Sequence, residues 1–223
     1  MENIQDNVFV NSESDNWFLR NKDSILNYDE NNDIVVYYLK KIDSKIESVL
    51  ELGSSIGFRL NTLKKLFPTI DVAVGVDPSK LAIQDGKERY GLEMYENNIV
   101  DFEFDDYQFD LVIVNFVYHW VDRKNILKAV ANTDSFVKDK GYLVIGDFLP
   151  NFPQRVNYHH TDEEVYTYKL NYPRIFESTN NYKKIFETTF NADEKFSGNI
   201  GFVESQSRGN LTILKKDLNA YFL

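Results

Sequence analysis

Apolar positions along this chain fall into short blocks divided by polar turns, and helical spacing alternates with strand-like runs. Residues 32–47, NDIVVYYLKKIDSKIE, place Ile34, Val35, Tyr38, Leu39 and Ile42 on one face of a helix with a polar opposite face. A strand over Ser48–Leu52 follows, then a loop of small residues and a helix from about Gly57 to Phe67, which Pro68 ends. Asp71–Val76 predicts a second strand, Lys80–Tyr90 a helix stopped at Gly91, and Met94–Ile99 a short third strand. Phe109–Phe116, FDLVIVNF, is the nearly continuous apolar run expected of a central parallel strand covered on both faces. Arg123–Lys138 is amphipathic and helical, and Tyr142–Gly146 is another buried strand. Helices feeding strands at such short intervals predict an α/β fold with a doubly wound parallel sheet. Beyond Pro150 the periodicity weakens. Residues 151–182 are rich in Tyr, Asn and His, residues 183–189 have helical spacing, and Lys195–Val203 with Asn210–Lys215 predict an antiparallel strand pair.

Composition narrows the class. The chain has 223 residues, 43% of them hydrophobic, with 17 Phe and 14 Tyr, enough for a real core in one α/β domain. There is no Cys, which excludes disulfides, a Cys nucleophile and Cys-ligated metal sites and suits a reducing cytoplasm. The opening MENIQDNVFVNSESDN lacks a basic segment followed by an apolar block, so no signal peptide is expected, and no apolar run is long enough to span a bilayer. The net charge of −10 is a poor match for a phosphate backbone. The expected partner is therefore a small molecule rather than nucleic acid or membrane, for a cytoplasmic monomer or homodimer.

Open α/β sheets bind ligands outside the C-terminal ends of their strands. Here those ends supply Glu51 and the loop Gly53, Ser54, Ser55, Gly57; then Asp77 with Pro78; then Asn97, Asn98 and Ile99; then Asn115 with Tyr118, His119 and Trp120; and lastly Asp147. The glycines allow a tight turn and close approach of a ligand to a helix N-terminus. Asp77 stands two dozen residues after Gly53, where a carboxylate can accept both hydroxyls of a ribose.

The dinucleotide fingerprint G-x-G-x-x-G fails, because Ser55 and Phe58 occupy its second and third glycine positions. Glu51, just before the loop, would repel a pyrophosphate and suits a cationic amine. In this stretch, E-L-G-S-S-I-G, the chain resembles the class I S-adenosylmethionine-dependent methyltransferases, matching their first motif at Glu51, Gly53 and Gly57 and departing at Ser55. The resemblance continues with Asp77 as the ribose-binding acid and with N-N-I-V-D-F-E-F-D-D-Y-Q-F-D-L-V (97–112), where Asn98 replaces the usual Asp and Ile99 would pack on adenine. V-Y-H-W-V (117–121) and G-Y-L-V-I-G-D (141–147) resemble the segments after the fourth strand and along the fifth in small-molecule methyltransferases.

The resemblance implies a Rossmann-like, seven-stranded, mostly parallel sheet with an antiparallel last strand, helices on both faces and a Tyr-rich lid insert. The implied organisation is one domain over 1–223, with an N-terminal helical cap (1–46), a cofactor-binding core (47–150), a substrate lid (151–182) and a terminal helix and strand pair (183–223). The implied cofactor is S-adenosylmethionine, held by Glu51, Gly53, Ser54, Ser55, Gly57, Asp77, Pro78, Asn98, Ile99 and Asn115, with Trp17 and Arg20 closing over it and Arg20 meeting its carboxylate. The implied reaction is in-line methyl transfer to a small polar acceptor of sugar or other metabolite type. His119 or His159 would act as general base, and Tyr118, Tyr158, His160 and Tyr168 would line the acceptor pocket, with Tyr166 and Tyr172 nearby.

Each residue has a plainer reading. Asp77 also suits an N-cap, His119 a satisfied structural histidine, Trp120 a core or groove-wall residue, and His159-His160 an exposed polar pair. Asn115-Phe116-Val117-Tyr118 lacks both prolines of the Asn-Pro-Pro-Tyr motif of nucleic-acid amino-methyltransferases, which argues against a nucleic-acid substrate. Two rival functions remain at this level: a nucleotide-binding oxidoreductase using NAD, and a non-catalytic methyltransferase-like subunit serving a partner.

Overall fold

A computed structural model of the protein describes residues 4–198 and 203–220. The chain opens with α1 (Ile4–Val8), a π-helical turn (Phe9–Glu13) and α2 (Ser14–Leu26), then α3 (Ile34–Leu39) and β1 (Ser48–Leu52). The central part alternates α4 (Phe58–Leu66), β2 (Val72–Asp77), α5 (Lys80–Tyr90), β3 (Glu93–Glu96), β4 (Phe109–Asn115), α6 (Ile126–Phe136) and β5 (Val137–Phe148). Last come β6 (Gln154–Asn157), β7 (Tyr166–Lys169), α7 (Pro173–Glu177), β8 (Tyr182–Asn191) and β9 (Arg208–Lys216).

One seven-stranded sheet runs β3-β2-β1-β4-β5-β9-β8. The strands from β3 to β5 are parallel, and β9 lies antiparallel between β5 and β8. Side chains alternate faces along each strand. Val49, Leu111, Ile113 and Val144 join one core with Val35, Leu39, Leu60 and Leu63. Leu50, Leu52, Val112, Val114 and Ile145 join the other with Ala129 and Phe136. Helices cover both faces, which is why β1 and β4 read as continuous apolar runs.

Several elements differ from the expectation. The helix over 32–47 is shorter. Asp33 starts it by accepting from the N–H groups of Val35 and Val36, and it ends at Leu39. Residues 183–189 are not helical but belong to β8, so the expected terminal helix is an edge strand. The partner of β9 is thus β8 rather than Lys195–Val203; residues 195–198 are not a strand, and 199–202 lie outside the described residues. Residues 151–182 form a two-stranded antiparallel hairpin, β6 and β7, followed by α7. Among the described residues no helix is long and apolar enough to cross a membrane.

Candidate active site

Leaving β1, the backbone takes left-handed angles at Gly53 (φ +79°), Ser55 (φ +50°) and Gly57 (φ +75°) before entering α4. A Cβ at Gly53 would stand 2.2 Å from Val117 Cγ2, so the position excludes any side chain. Ser55 holds the left-handed angle despite its Cβ, a strain that glycine would avoid. The N–H groups of Gly53 and Ser54 both donate to Val76 O, at 2.8 and 2.9 Å, tying the loop to β2. Asp77 finishes that tie. Its Oδ2 accepts from Ser55 N–H (2.8 Å) and its Oδ1 from Ser79 N–H (2.9 Å). Burial pushes the Asp77 carboxyl up to about 6, against the downward pull of those two N–H groups.

Beneath the loop lies a buried charge cluster. Arg59, in the first turn of α4, donates Nε to Asp33 Oδ2 at 2.9 Å and Nη1 to Glu51 Oε1. All three side chains are less than a tenth exposed. Two carboxylates against one guanidinium leave the cluster short of positive charge. Burial pushes the Glu51 carboxyl up to about 7, Arg59 pulling it down and Asp33 adding to the rise. Glu51 Oε2 is buried without a hydrogen-bond partner, as are Ser55 Oγ and Asn115 Oδ1.

A cavity of about 350 Å³ opens over these strand ends. Its floor is Gly53, Ser55, Asp77 and Asn115; one end is Asn97, Asn98, Ile99 and Val100. Phe116, Val117 and Trp120 form the wall after β4, and the roof comes from the N-terminal segment through Asp6, Phe9, Val10, Ser14 and Trp17. The roof is pinned at several points. Gln5 Nε2 donates to Trp120 O (2.6 Å) and Tyr166 O (2.8 Å). Asp15 Oδ1 accepts from Ser79 Oγ (2.7 Å) and Leu81 N–H (3.1 Å). Buried Glu13 accepts from Arg20 and Tyr158.

Residues 49–141 match the sequence profile of the methyltransferase domain family. The strand order, with its antiparallel last strand, and the cavity at the strand ends agree with that match. The chain thus resembles a methyltransferase domain over residues 49–141.

Solved structures share the fold at low identity. The 1,6-didemethyltoxoflavin-N1-methyltransferase of Burkholderia thailandensis, solved with 1,6-didemethyltoxoflavin and S-adenosylhomocysteine, aligns with a TM-score of 0.71 at 10% identity, over 97% of this chain and 92% of that one. The plantazolicin methyltransferase BpumL, solved with a pentazolic desmethylPZN analog and S-adenosylhomocysteine, gives 0.60 at 15% identity, over 96% and 95%. The N-methyltransferase NodS of Bradyrhizobium japonicum WM9, solved with S-adenosylhomocysteine, gives 0.56 at 16%, over 81% and 83%. No curated protein matches in sequence.

The structure brings some of the sequence-derived candidates together and parts others. Gly53, Ser55, Asp77, Pro78, Asn98, Ile99, Asn115 and Trp17 all line the cavity. Glu51 and Gly57 support the loop from beneath, and Ser54 is turned toward Gly75. Arg20 is not on the cavity wall; Glu13 and the Tyr158 hydroxyl hold its guanidinium. His119 is also off the wall, one layer behind Phe116 and Trp120. It is 3% exposed, with Nδ1 2.9 Å from Asp147 Oδ1 in an ion-pair approach that lies off the ring N–H line.

Tyr118 is wholly buried and bonds Thr133, because the short 3-10 turn at Tyr118–Trp120 rotates it into the core. His159 and His160 are exposed, His160 against the Tyr158 ring. Tyr168 lies under the Arg123 guanidinium, and Tyr158, Tyr166, Tyr168 and Tyr172 are all absent from the described wall. The roof over the cavity is thus the N-terminal segment and not the Tyr-rich insert, which braces that segment from outside.

Arg59, Phe9 and Asp6 carry site geometry that the sequence reading did not single out. A signal existed for Arg59: a cation at a helix start, against the dipole, implies a nearby acid. Phe9 and Asp6 gave none, since only tertiary contact places them.

Proposed function

We propose that the protein transfers a methyl group from S-adenosylmethionine to a small-molecule acceptor by in-line displacement. The observation that carries this reading is the loop–carboxylate unit, in which Asp77 closes a bare-backbone turn over a buried cluster with an unpartnered Glu51 oxygen. Bound there, the cofactor supplies an activated sulfonium methyl group. Asp77 accepts the ribose hydroxyls through the lone pairs its two N–H partners leave free. Glu51 Oε2 supplies the charge that suits an α-ammonium group, and Gly53 gives close backbone approach. Ile99 offers an apolar face to the base. Phe9, Val10 and Trp17 exclude water, and Phe116 and Trp120 orient the acceptor.

Those acceptor-side walls are aromatic and apolar, which favours an acceptor with a flat apolar face over the sugar type anticipated from sequence. The insert residues 151–182 act here as a brace of the N-terminal cap. His119 is assigned a structural role. His119→Ala should lower stability by about 1–3 kcal/mol, since the buried Asp147 loses its side-chain partner and keeps only the N–H groups of residue 119 and Phe148, and should change S-adenosylhomocysteine affinity less than about twofold. Thermal melts and calorimetry check both; normal stability would reject the role.

Calorimetry with S-adenosylmethionine, S-adenosylhomocysteine and NAD tests the function, with binding of the first two and none of NAD as the expected result. Binding of NAD alone would establish the oxidoreductase reading instead. A pH dependence follows from Asp77. Ribose hydroxyls donate best to the ionised carboxylate, and its pKa near 6 leaves it largely protonated at pH 5. Affinity for S-adenosylhomocysteine should therefore rise between pH 5 and pH 7, by at most about tenfold per unit for this one proton. A titration in which affinity falls over that range would contradict the assignment.

A further inference from the structure

The end of the cavity at Ile99 poses a problem of hydrogen-bond capacity. Asn98, where the family places the acid facing the adenine amino group, has no acceptor to spare. Its Oδ1 accepts from Val100 N–H (2.7 Å) and Asp101 N–H (3.0 Å), which uses both lone pairs. Its Nδ2 donates to Asp101 (3.0 Å). Its acceptor oxygen is spent on its own turn.

A carboxylate from elsewhere in the chain lines the same cavity. Asp6, in α1, lines the cavity. Its Oδ1 accepts from Asp122 N–H (2.8 Å) and its Oδ2 from Asn125 Nδ2. Asn125 precedes α6, and α6 reaches back to the turn holding Ile99. Asn132 Nδ2 donates to Ile99 O and Phe102 O, both at 2.9 Å, and Lys128 pairs with Asp101. Asp6 and the 98–102 turn therefore both rest against α6 and its N-terminal flank, and Asp6, Asn98, Ile99 and Val100 all line one cavity. Each Asp6 oxygen keeps a lone pair after its protein bond. The neutral rival at this end is Asn97, whose Oδ1 accepts from Asn98 N–H (2.8 Å).

We propose that Asp6, not Asn98, accepts the exocyclic amino group of the cofactor's adenine, so that the N-terminal cap selects the base as it closes the site. The inference rests on the methyltransferase reading and names a specificity residue within it. A carboxylate only accepts. It matches an amino group and opposes the carbonyl that hypoxanthine carries at the same ring position.

The test compares S-adenosylhomocysteine with S-inosylhomocysteine by calorimetry on the full chain. The wild type should prefer the adenosyl ligand by at least about 30-fold, the penalty of setting a buried acceptor against an acceptor. In Asp6→Asn the preference should fall to about threefold or less, since a carboxamide can turn its Nδ2 toward the carbonyl. Asp6→Ser, whose hydroxyl donates as readily as it accepts, should give the same collapse and serves if Asp6→Asn folds poorly. A merely structural role would weaken both ligands alike and keep their ratio, which overturns the proposal. So does a wild type without preference, or a preference that survives at position 6 and vanishes in Asn97→Ala. Failure of S-adenosylhomocysteine to bind the wild type at all instead removes the underlying reading.

Discussion

Arg59→Met should destabilise the protein by about 3–5 kcal/mol, the cost of stripping a buried ion cluster of its only cation. Asp33 and Glu51 are 4% and 1% exposed at the side chain, and Arg59 bridges them. Without it, Asp33 keeps the Val35 and Val36 N–H groups and the Tyr28 hydroxyl as donors. Glu51 keeps no side-chain hydrogen-bond donor among the described contacts, having already one unpartnered oxygen. The loss should thus centre on Glu51, which escapes it by taking up a proton. The sign with pH follows. Removing a neighbouring cation raises the carboxyl further, so the penalty should be smaller at pH 5 than at pH 8. Arg59→Lys restores the charge but cannot span both acids with a planar fork, and should recover only part. Denaturant unfolding at the two pH values measures this. A loss under about 1 kcal/mol at pH 8 would mean that the cluster is not drawn correctly.

Asp77→Asn should weaken S-adenosylhomocysteine binding by about 1.5–3 kcal/mol, roughly 10- to 150-fold in Kd, with little loss of fold. The carboxylate presents two acceptor oxygens, each already holding one backbone N–H from the loops on either side. A carboxamide keeps one of them and turns an NH2 against the other donor. Either Ser55 or Ser79 then loses its bond, and the ligand loses charge-assisted acceptance of its diol. The rise of affinity between pH 5 and pH 7 should flatten in the same variant, because its titrating group is gone. Calorimetry across that range reads both effects, and unaltered affinity would take Asp77 out of the site.

The misread strand β8 shows where pattern reading stops. Tyr182, Phe186 and Phe190 recur every four residues, which is helical spacing. Four is also a multiple of the two-residue strand repeat, so this spacing fits a strand as well as a helix, and the register shift between Lys184 and Phe186 then turns Tyr182 to the opposite face from Phe186 and Phe190. The site divides in a similar way. Glu51, Gly53, Gly57 and Asp77 were legible because they sit at fixed steps from strand ends, where local chemistry and position coincide. Asn98 lines the cavity, but its Oδ1 is taken up by the N–H groups of Val100 and Asp101, a use that the sequence does not signal. Tyr118 and His119 follow a strand end as expected, but a single 3-10 turn sends both rings into the core.

The sequence by itself determined the alternation of β and α elements, the doubly wound core and the strand ends over which the cavity opens. Burial on both faces of a parallel sheet leaves continuous apolar runs, and tight turns leave glycines, whatever surrounds them. Only the tertiary structure decided that α1, the π-helical turn and α2 roof the cavity, that Arg59 joins Asp33 to Glu51, and that Asp6 lines the same cavity as Ile99. Those contacts join residues far apart in the chain, with no period and no fixed spacing. Their energy comes from burial and charge pairing that exist only once the sheet has brought the partners within reach.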